Sequence, residues 1–155
     1  MARLRSAGLL LWRRTPAGAV EVLLAHPGGP LFARKDVWGV PKGELDPDED
    51  ALVAAYREFT EEVGTAPPDG DPVPLGEARQ PSGKVNVVWA LEGDLAAAEA
   101  RSNHFSMEWP PRSGRLQSFP EVDRVAWFTL PAAGERVFPS QLPFLDRLAA
   151  LLAAA

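Results

Sequence analysis

The stretch GELDPDEDALVAAYREFTEEVGT, residues 43–65, carries the clearest structural pattern in the 155-residue chain. Asp46 is a preferred N-cap residue, Pro47 suits the first helical position, and Glu49 stands where a capping box places its acid. Gly64 is the residue type that most often follows the last turn of a helix. These signals together predict a helix that begins at Asp46 and ends at Gly64.

Two faces of this helix differ in chemistry. Leucine, tyrosine, phenylalanine and valine recur at spacings of four, three and four, which predicts an apolar stripe facing the core: Leu52, Tyr56, Phe59 and Val63. Three carboxylates share another face, away from this stripe: Glu58, Glu61 and Glu62. Such a cluster is either a solvated acidic surface or a set of oxygen ligands for Mg²⁺ or Mn²⁺.

The residues around the carboxylates form a longer pattern. Gly43 is followed after five residues by Glu49, and after seven more by the run REFTEEVG, which spans residues 57–64. This pattern resembles the Nudix box, the signature of the Nudix hydrolase family, with Thr65 as one departure where an aliphatic residue is usual. The resemblance extends over roughly residues 5–130.

Two further segments strengthen the likeness. The run WGVPKG at residues 38–43 is similar to the approach to the box in Nudix relatives that act on dinucleoside polyphosphates. Glu121 precedes Trp127 by six residues, as in many family members that place a glutamate near the metal ions. The resemblance implies that Gly43 (through its carbonyl), Glu58, Glu61, Glu62 and Glu121 bind Mg²⁺ or Mn²⁺.

The resemblance also implies roles for the remaining box residues. Either Glu61 or Glu121 would be the base that accepts a proton from the attacking water. Arg57 would pair with Glu49 and orient the carboxylates; an exposed arginine is the simpler alternative. Gly64 would end the helix.

Substrate-binding candidates lie outside the helix. Lys42 is placed to reach a phosphate as a point charge, or is simply solvated. Trp109, Arg112 and Arg115 lie in one loop, with aromatic and guanidinium groups suited to stack a base and hold a phosphate. An ordered surface loop would explain the same residues equally well.

Short apolar runs and turn residues outline the rest of the chain. Strands are predicted at Leu4–Arg13, Val20–Ala25, Val73–Arg79, Lys84–Leu91 and Val122–Phe128, and further helices at Leu95–Arg101 and Leu142–Leu152. We expect residues 1–155 to form one domain. The family resemblance implies an α/β (α+β) fold, an α/β/α sandwich with a mixed sheet between helices.

Composition limits the partners. A net charge of −5 speaks against a polymeric nucleic acid, and the apolar C-terminal run from Leu142 is too short to span a membrane. The absence of cysteine is compatible with a reducing compartment, and we expect a cytoplasmic location. Oligomeric state is not readable from the sequence.

The implied function is hydrolysis of a diphosphate linkage in a small nucleotide substrate. Among substrate classes, we favour dinucleoside polyphosphates first, nucleoside triphosphates second, and ADP-ribose or other sugar nucleotides third. Two alternatives on the same fold are a non-catalytic nucleotide sensor and a prenyl diphosphate isomerase. The isomerase is disfavoured, because the chain contains no cysteine to supply the thiol that such enzymes use.

Overall fold

A computed structural model describes residues 4–154. Its strands are β1 Arg5–Arg14, β2 Val20–Pro27, β3 Lys42–Glu44, β4 Val73–Arg79, β5 Val85–Glu92, β6 His104–Glu108, β7 Leu116–Pro120 and β8 Val122–Thr129. Its α-helices are α1 Ala51–Val63, α2 Leu130–Arg136 and α3 Leu142–Ala153. None of the helices in this part of the chain is long and apolar enough to cross a membrane.

The main sheet is mixed and lies between helices. Its strand order is β4-β5-β1-β2-β8, with β3 also paired to β1, and β1 and β5 run parallel while the other pairs are antiparallel. One apolar cluster joins the sheet to α1 and the other joins it to α2 and α3. The expected α/β/α sandwich is therefore confirmed.

The segment 38–44 is inserted between β1 and β2. Gly39 exchanges two backbone hydrogen bonds with Ala25, of 2.8 and 2.9 Å, and β3 pairs with residues 6–8 of β1. A Cβ on Gly8 would lie 2.6 Å from the Pro41 carbonyl oxygen, so a larger residue there would displace this segment. The insertion carries Lys42 and Gly43 to the side of α1.

The N-terminus of α1 differs from the prediction. The N-cap is Asp50, whose carboxylate accepts hydrogen bonds from the backbone N–H groups of Leu52 and Val53. Asp46 instead starts a separate turn, in which Glu49 accepts a hydrogen bond from the Asp46 N–H at 2.9 Å and Asp48 has a φ of 62°. The predicted N-cap was therefore wrong by four residues, because Asp46 is held in this separate turn. The predicted end is confirmed, with Gly64 at a φ of 85°.

The buried face of α1 also differs from the predicted stripe. Its fully buried residues are Ala54, Ala55, Phe59 and Val63, whereas Leu52 and Tyr56 are only partly covered. Alanine is small enough to let the first turns lie close against the sheet. The predicted stripe was therefore wrong in its first half, because apolar spacing alone favoured the larger side chains.

The remaining elements follow the prediction in outline. All five predicted strands are present, while the predicted helix at Leu95–Arg101 contracts to a 3-10 turn at Ala97–Glu99. Five elements of the described residues were not predicted: β3, α2, the two strands of a separate hairpin, β6 and β7, and a 3-10 turn at Pro139–Gln141. The loop that contains Trp109, Arg112 and Arg115 is the tip of this hairpin.

Candidate functional site

An acidic cavity of about 450 Å³ opens between β3, the C-terminal half of α1 and the start of β8. Its walls are Lys42, Gly43, Glu44, Glu58, Glu61, Glu62, Asn103 and Glu121. All five residues predicted to bind metal therefore line one cavity. The fold brings Glu121 to the box carboxylates from nearly 60 residues further along the chain.

Gly43 is required at its position by the carboxylate of Glu58. A Cβ built on Gly43 would overlap all three atoms of that carboxylate group. The missing side chain lets Glu58 lie against the backbone of β3, and only 13% of the Glu58 side chain is exposed. The glycine and the first carboxylate of the box thus fit each other directly.

We expect Gly43→Ala to lower the free energy of unfolding by about 1–3 kcal/mol, the usual cost of overpacking. Gly134→Ala is the matched control, because its nearest neighbour, Leu142 Cδ2, lies 4.0 Å from the added Cβ and α2 tolerates alanine. Denaturant unfolding of both variants measures the difference. Equal stabilities would contradict the fit between Gly43 and Glu58.

Arg57 holds three glutamates in place. Its Nε and Nη2 each donate a 2.9 Å hydrogen bond to Glu49, and its Nη1 donates to Glu58 at 2.8 Å and to Glu61 at 3.2 Å. Nη2 also donates to the Glu44 carbonyl at 3.1 Å. The ion pair expected between Arg57 and Glu49 is present. Because the guanidinium is planar and rigid, it fixes how Glu58 and Glu61 face the cavity.

The pKa of Glu49 reflects this contact. Hydrogen bonds from Arg57, and a further one from the backbone of Asp46, lower the pKa of Glu49 to about 2. Glu49 therefore stays ionised at neutral pH and anchors Arg57 from outside the cavity.

Glu62 is a desolvated carboxylate of this cavity. Its pKa is raised to about 8, mainly by burial and also by the neighbouring Glu58 and Glu121, while Lys42 opposes the shift. Burial also lowers the pKa of Lys42, with Lys84 acting in the same direction. Glu62 is covered because it lies two helical turns after the buried Ala55, on almost the same side of α1. Like Glu58 and Glu61, it is only partly buried, so the three carboxylates lie outside the core as expected.

The cavity suits a hard divalent cation. Its potential ligands are carboxylate and carbonyl oxygens, which Mg²⁺ and Mn²⁺ prefer, and its desolvated carboxylates repel one another in the absence of positive charge. Within residues 4–154, no three acidic or histidine side chains converge closely enough to enclose an ion by themselves. A cation held here would need water or substrate oxygens to complete its coordination.

Asn103 links the two carboxylate-bearing segments, and no sequence motif marked it as a site residue. Its N–H donates to the Glu61 carbonyl at 2.8 Å, and its carbonyl accepts from the Glu121 N–H at 2.9 Å. In the described part of the chain, the Glu121 carboxylate forms no ion pair and no side-chain hydrogen bond. The Glu61 carboxylate, in contrast, accepts hydrogen bonds from Arg57. The two candidate bases therefore have different surroundings.

The hairpin residues lie away from the acidic cavity. Trp109 and Arg115 pair at the tip through a 2.9 Å backbone hydrogen bond, and Arg112 has a φ of 64° with its N–H donated to Glu108. None of the three lines the cavity. The hairpin does start and end beside it, because β6 follows Asn103 and β7 precedes Glu121.

A second, smaller cavity of about 150 Å³ adjoins the first and shares three residues with it: Lys42, Glu62 and Glu121. Its other walls are mostly apolar, and they include Gly39, Phe138 and Gln141. Phe138 and Gln141 lie just before α3, and no sequence motif marks either of them as a cavity residue.

Comparison with protein-family models matches residues 2–148 to the NUDIX domain. The chain belongs to the Nudix family. The matched range contains both cavities and nearly the whole sandwich, so the resemblance seen in the box holds for the fold as a whole.

Among curated proteins, this Nudix chain is 31% identical over 92% of its length to an 8-oxo-(d)GTP phosphatase of Mycolicibacterium smegmatis, and spans 40% of that protein. Among solved structures, a C. elegans Ap4A hydrolase binary complex has a TM-score of 0.66 and 22% identity, with coverage of 97% of this chain and 99% of that one. The NUDIX domain of Shewanella oneidensis NrtR, complexed with ADP ribose, has a TM-score of 0.64 and 19% identity, with coverage of 98% and 90%. At these identities, the two structures show a shared fold.

Proposed function

We propose that this Nudix chain is a Mg²⁺- or Mn²⁺-dependent hydrolase that cleaves a diphosphate linkage in a dinucleoside polyphosphate or a nucleoside triphosphate. The observation that carries the proposal is the acidic cavity, where the box carboxylates and Glu121 meet around one space. The similarity to an 8-oxo-(d)GTP phosphatase and to an Ap4A hydrolase supports a nucleotide with a phosphate chain.

In this proposal, Glu58 and Glu62 are the principal cation ligands. Glu61 joins them directly or through water, and the Gly43 carbonyl adds a further oxygen. A bound divalent cation polarises phosphoryl oxygens and lowers the pKa of a bound water. Arg57 acts as a positioning residue, because it holds Glu58 and Glu61 while Glu49 anchors it from outside.

We assign the general base to Glu121 rather than Glu61. Both carboxylate oxygens of Glu61 accept hydrogen bonds from Arg57 Nη1, at 3.2 and 3.3 Å, so this carboxylate is already engaged by the guanidinium. Glu121 lines both cavities with a carboxylate that has no side-chain hydrogen bond or ion pair in the described residues. It is therefore free to accept the proton of an attacking water.

Substrate phosphates would be held beside these carboxylates. Lys42 lines both cavities, and its ammonium would donate to a phosphate oxygen there. Trp109, Arg112 and Arg115 are proposed to contact the distal part of a long substrate from the hairpin. We further propose a cytoplasmic location, with which the absence of cysteine is compatible.

The test is a substrate panel with Mg²⁺ or Mn²⁺ that includes dinucleoside polyphosphates, nucleoside triphosphates and ADP-ribose. Products are identified by mass, and reaction in ¹⁸O-labelled water locates the attacked phosphorus. We expect cleavage of a diphosphate bond that stops when the cation is chelated. Tight binding of a nucleotide without cleavage would replace this proposal by a sensor, the role for which the cavity carboxylates are not needed.

A further inference from the structure

Strand β8 contains a one-residue bulge close to its start. His26 of β2 pairs with Arg124 of β8. The next residue of β2, Pro27, pairs with Val122, which leaves Asp123 without a partner on β2. Bulges of this kind bend a strand and re-aim the side chains beside them, and they are frequent next to active sites.

The bulge decides the face of the sheet on which Glu121 lies. Val122 and Val125 both pack in the apolar cluster that joins the sheet to α1, although a regular strand would turn residues three apart to opposite faces. The extra residue between them is what brings Val122 to the α1 side. Without the bulge, the residues before it would turn over, and Glu121 would exchange faces with Val122.

His26 holds the bulge from the neighbouring strand. Its side chain is fully buried, and both ring nitrogens face oxygen atoms: Nδ1 lies 2.8 Å from the carboxylate of Asp123, and Nε2 lies 2.6 Å from the carbonyl of Lys35. Because these oxygens accept hydrogen bonds, each nitrogen serves as a donor. Trp38 packs edge-on against the ring, with the two centroids 5.1 Å apart. The ring is therefore fixed, and it fixes the unpaired Asp123 in turn.

The backbone of Glu121 is joined to the same segment of β2. Its carbonyl accepts a 2.9 Å hydrogen bond from the N–H of Gly28, which follows His26 by two residues. A Cβ on Gly28 would overlap the Pro120 carbonyl, so the two segments lie in direct contact. A change in the bulge is therefore transmitted to Glu121.

We propose that His26 is a positioning residue for Glu121: by donating to Asp123 it holds the bulge of β8 and keeps the Glu121 carboxylate directed into the acidic cavity. The inference rests on the proposed function, in which Glu121 is the base. His26 lines neither cavity, so it does not touch the substrate and acts through Asp123.

His26→Asn and His26→Gln form a matched pair. The amide nitrogen of asparagine takes the place of Nδ1, and that of glutamine takes the place of Nε2, so only asparagine can still donate to Asp123. Each variant loses one of the two hydrogen bonds, and both should lose similar stability. We expect kcat to fall about 10- to 100-fold in His26→Gln, as for a displaced catalytic group, and to stay within about threefold of the wild type in His26→Asn, with KM little changed in both.

The Glu121→Gln background separates positioning from a general loss of stability. If His26 acts through Glu121, His26→Gln should lower kcat no further once the base is gone. Leu24→Val, which shortens a fully buried side chain of the same strand, is the control for lost stability and should keep the kcat of the wild type. If neither His26 variant folds, Asp123→Ala removes the same hydrogen bond from its partly exposed end and should lower kcat as His26→Gln does.

Amide hydrogen exchange tests the bulge without a substrate. The N–H groups of Gly28 and Glu121 should exchange faster in His26→Gln than in His26→Asn, because the first donates to the Glu121 carbonyl and the second to Asn103. The Ala25 N–H, which donates to Gly39, should exchange equally in both variants.

Equal kcat values in His26→Asn and His26→Gln, or a further loss of kcat in the Glu121→Gln background, would overturn the role of His26. If the wild type cleaves no diphosphate substrate, the hydrolase proposal fails, and the exchange rates still decide whether His26 holds the bulge. Equal exchange of the Gly28 and Glu121 amides in the two variants would show that it does not.

Discussion

Replacing Glu58 or Glu62 with glutamine is expected to lower turnover of the cleaved substrate at least about 100-fold, because a metal ion contributes several kcal/mol to charge stabilisation and each 1.36 kcal/mol is tenfold. Glutamine keeps the shape of each side chain and removes its charge. Both variants should fold. Burial disfavours the charge of Glu62, which glutamine removes, and the Glu58 change weakens only one of the hydrogen bonds made by Arg57.

Glu77→Gln is the matched control for charge. The Glu77 side chain is largely exposed and pairs with Arg5 across the sheet surface, an interaction that contributes little. Steady-state kinetics at several Mg²⁺ concentrations should show lost turnover in the two box variants and wild-type turnover in the control. Unchanged turnover in Glu58→Gln and Glu62→Gln would remove both residues from the metal site.

Glu121→Gln is expected to lower kcat by about 10²–10⁴-fold, the usual contribution of a general base. Glu61→Gln should have a smaller effect, because Arg57 already engages that carboxylate and holds it at the rim of the cavity. The comparison is well matched, since both changes remove one negative charge from the same cavity.

The pH dependence of kcat separates the two roles. Loss of a base removes the fall in kcat at low pH, whereas loss of a cation ligand raises the Mg²⁺ concentration needed for activity. We expect the first result for Glu121→Gln and the second for Glu61→Gln. The reverse pattern would transfer the role of base to Glu61.

The sequence predicted the parts of the site that depend on local spacing. Gly43, Glu49, Arg57 and Glu58 lie within 16 residues of one another, and a glycine that accommodates a carboxylate needs no distant partner to be recognised. The end of α1 at Gly64 was readable for the same reason, because a left-handed cap depends on the glycine itself.

The parts that depend on tertiary contacts were not readable. Asp50 rather than Asp46 caps α1, because Glu49 ties Asp46 into a separate turn before the helix. The hairpin of β6 and β7 was read as a loop, because its strands are largely exposed and lack an apolar run. Gln141 lines the smaller cavity only because the fold places its side chain against the Val40 N–H, a contact that no local pattern indicates.

The proposed metal site is tested most directly by a crystal structure of the protein with Mn²⁺ and a non-hydrolysable nucleotide, with the metal located by anomalous scattering. We expect a metal peak in the acidic cavity, at about 2.0–2.2 Å from carboxylate oxygens of Glu58 and Glu62, as for a small divalent cation. A peak bound elsewhere, with these carboxylates uncoordinated while the same crystals cleave a diphosphate substrate, would contradict this metal site.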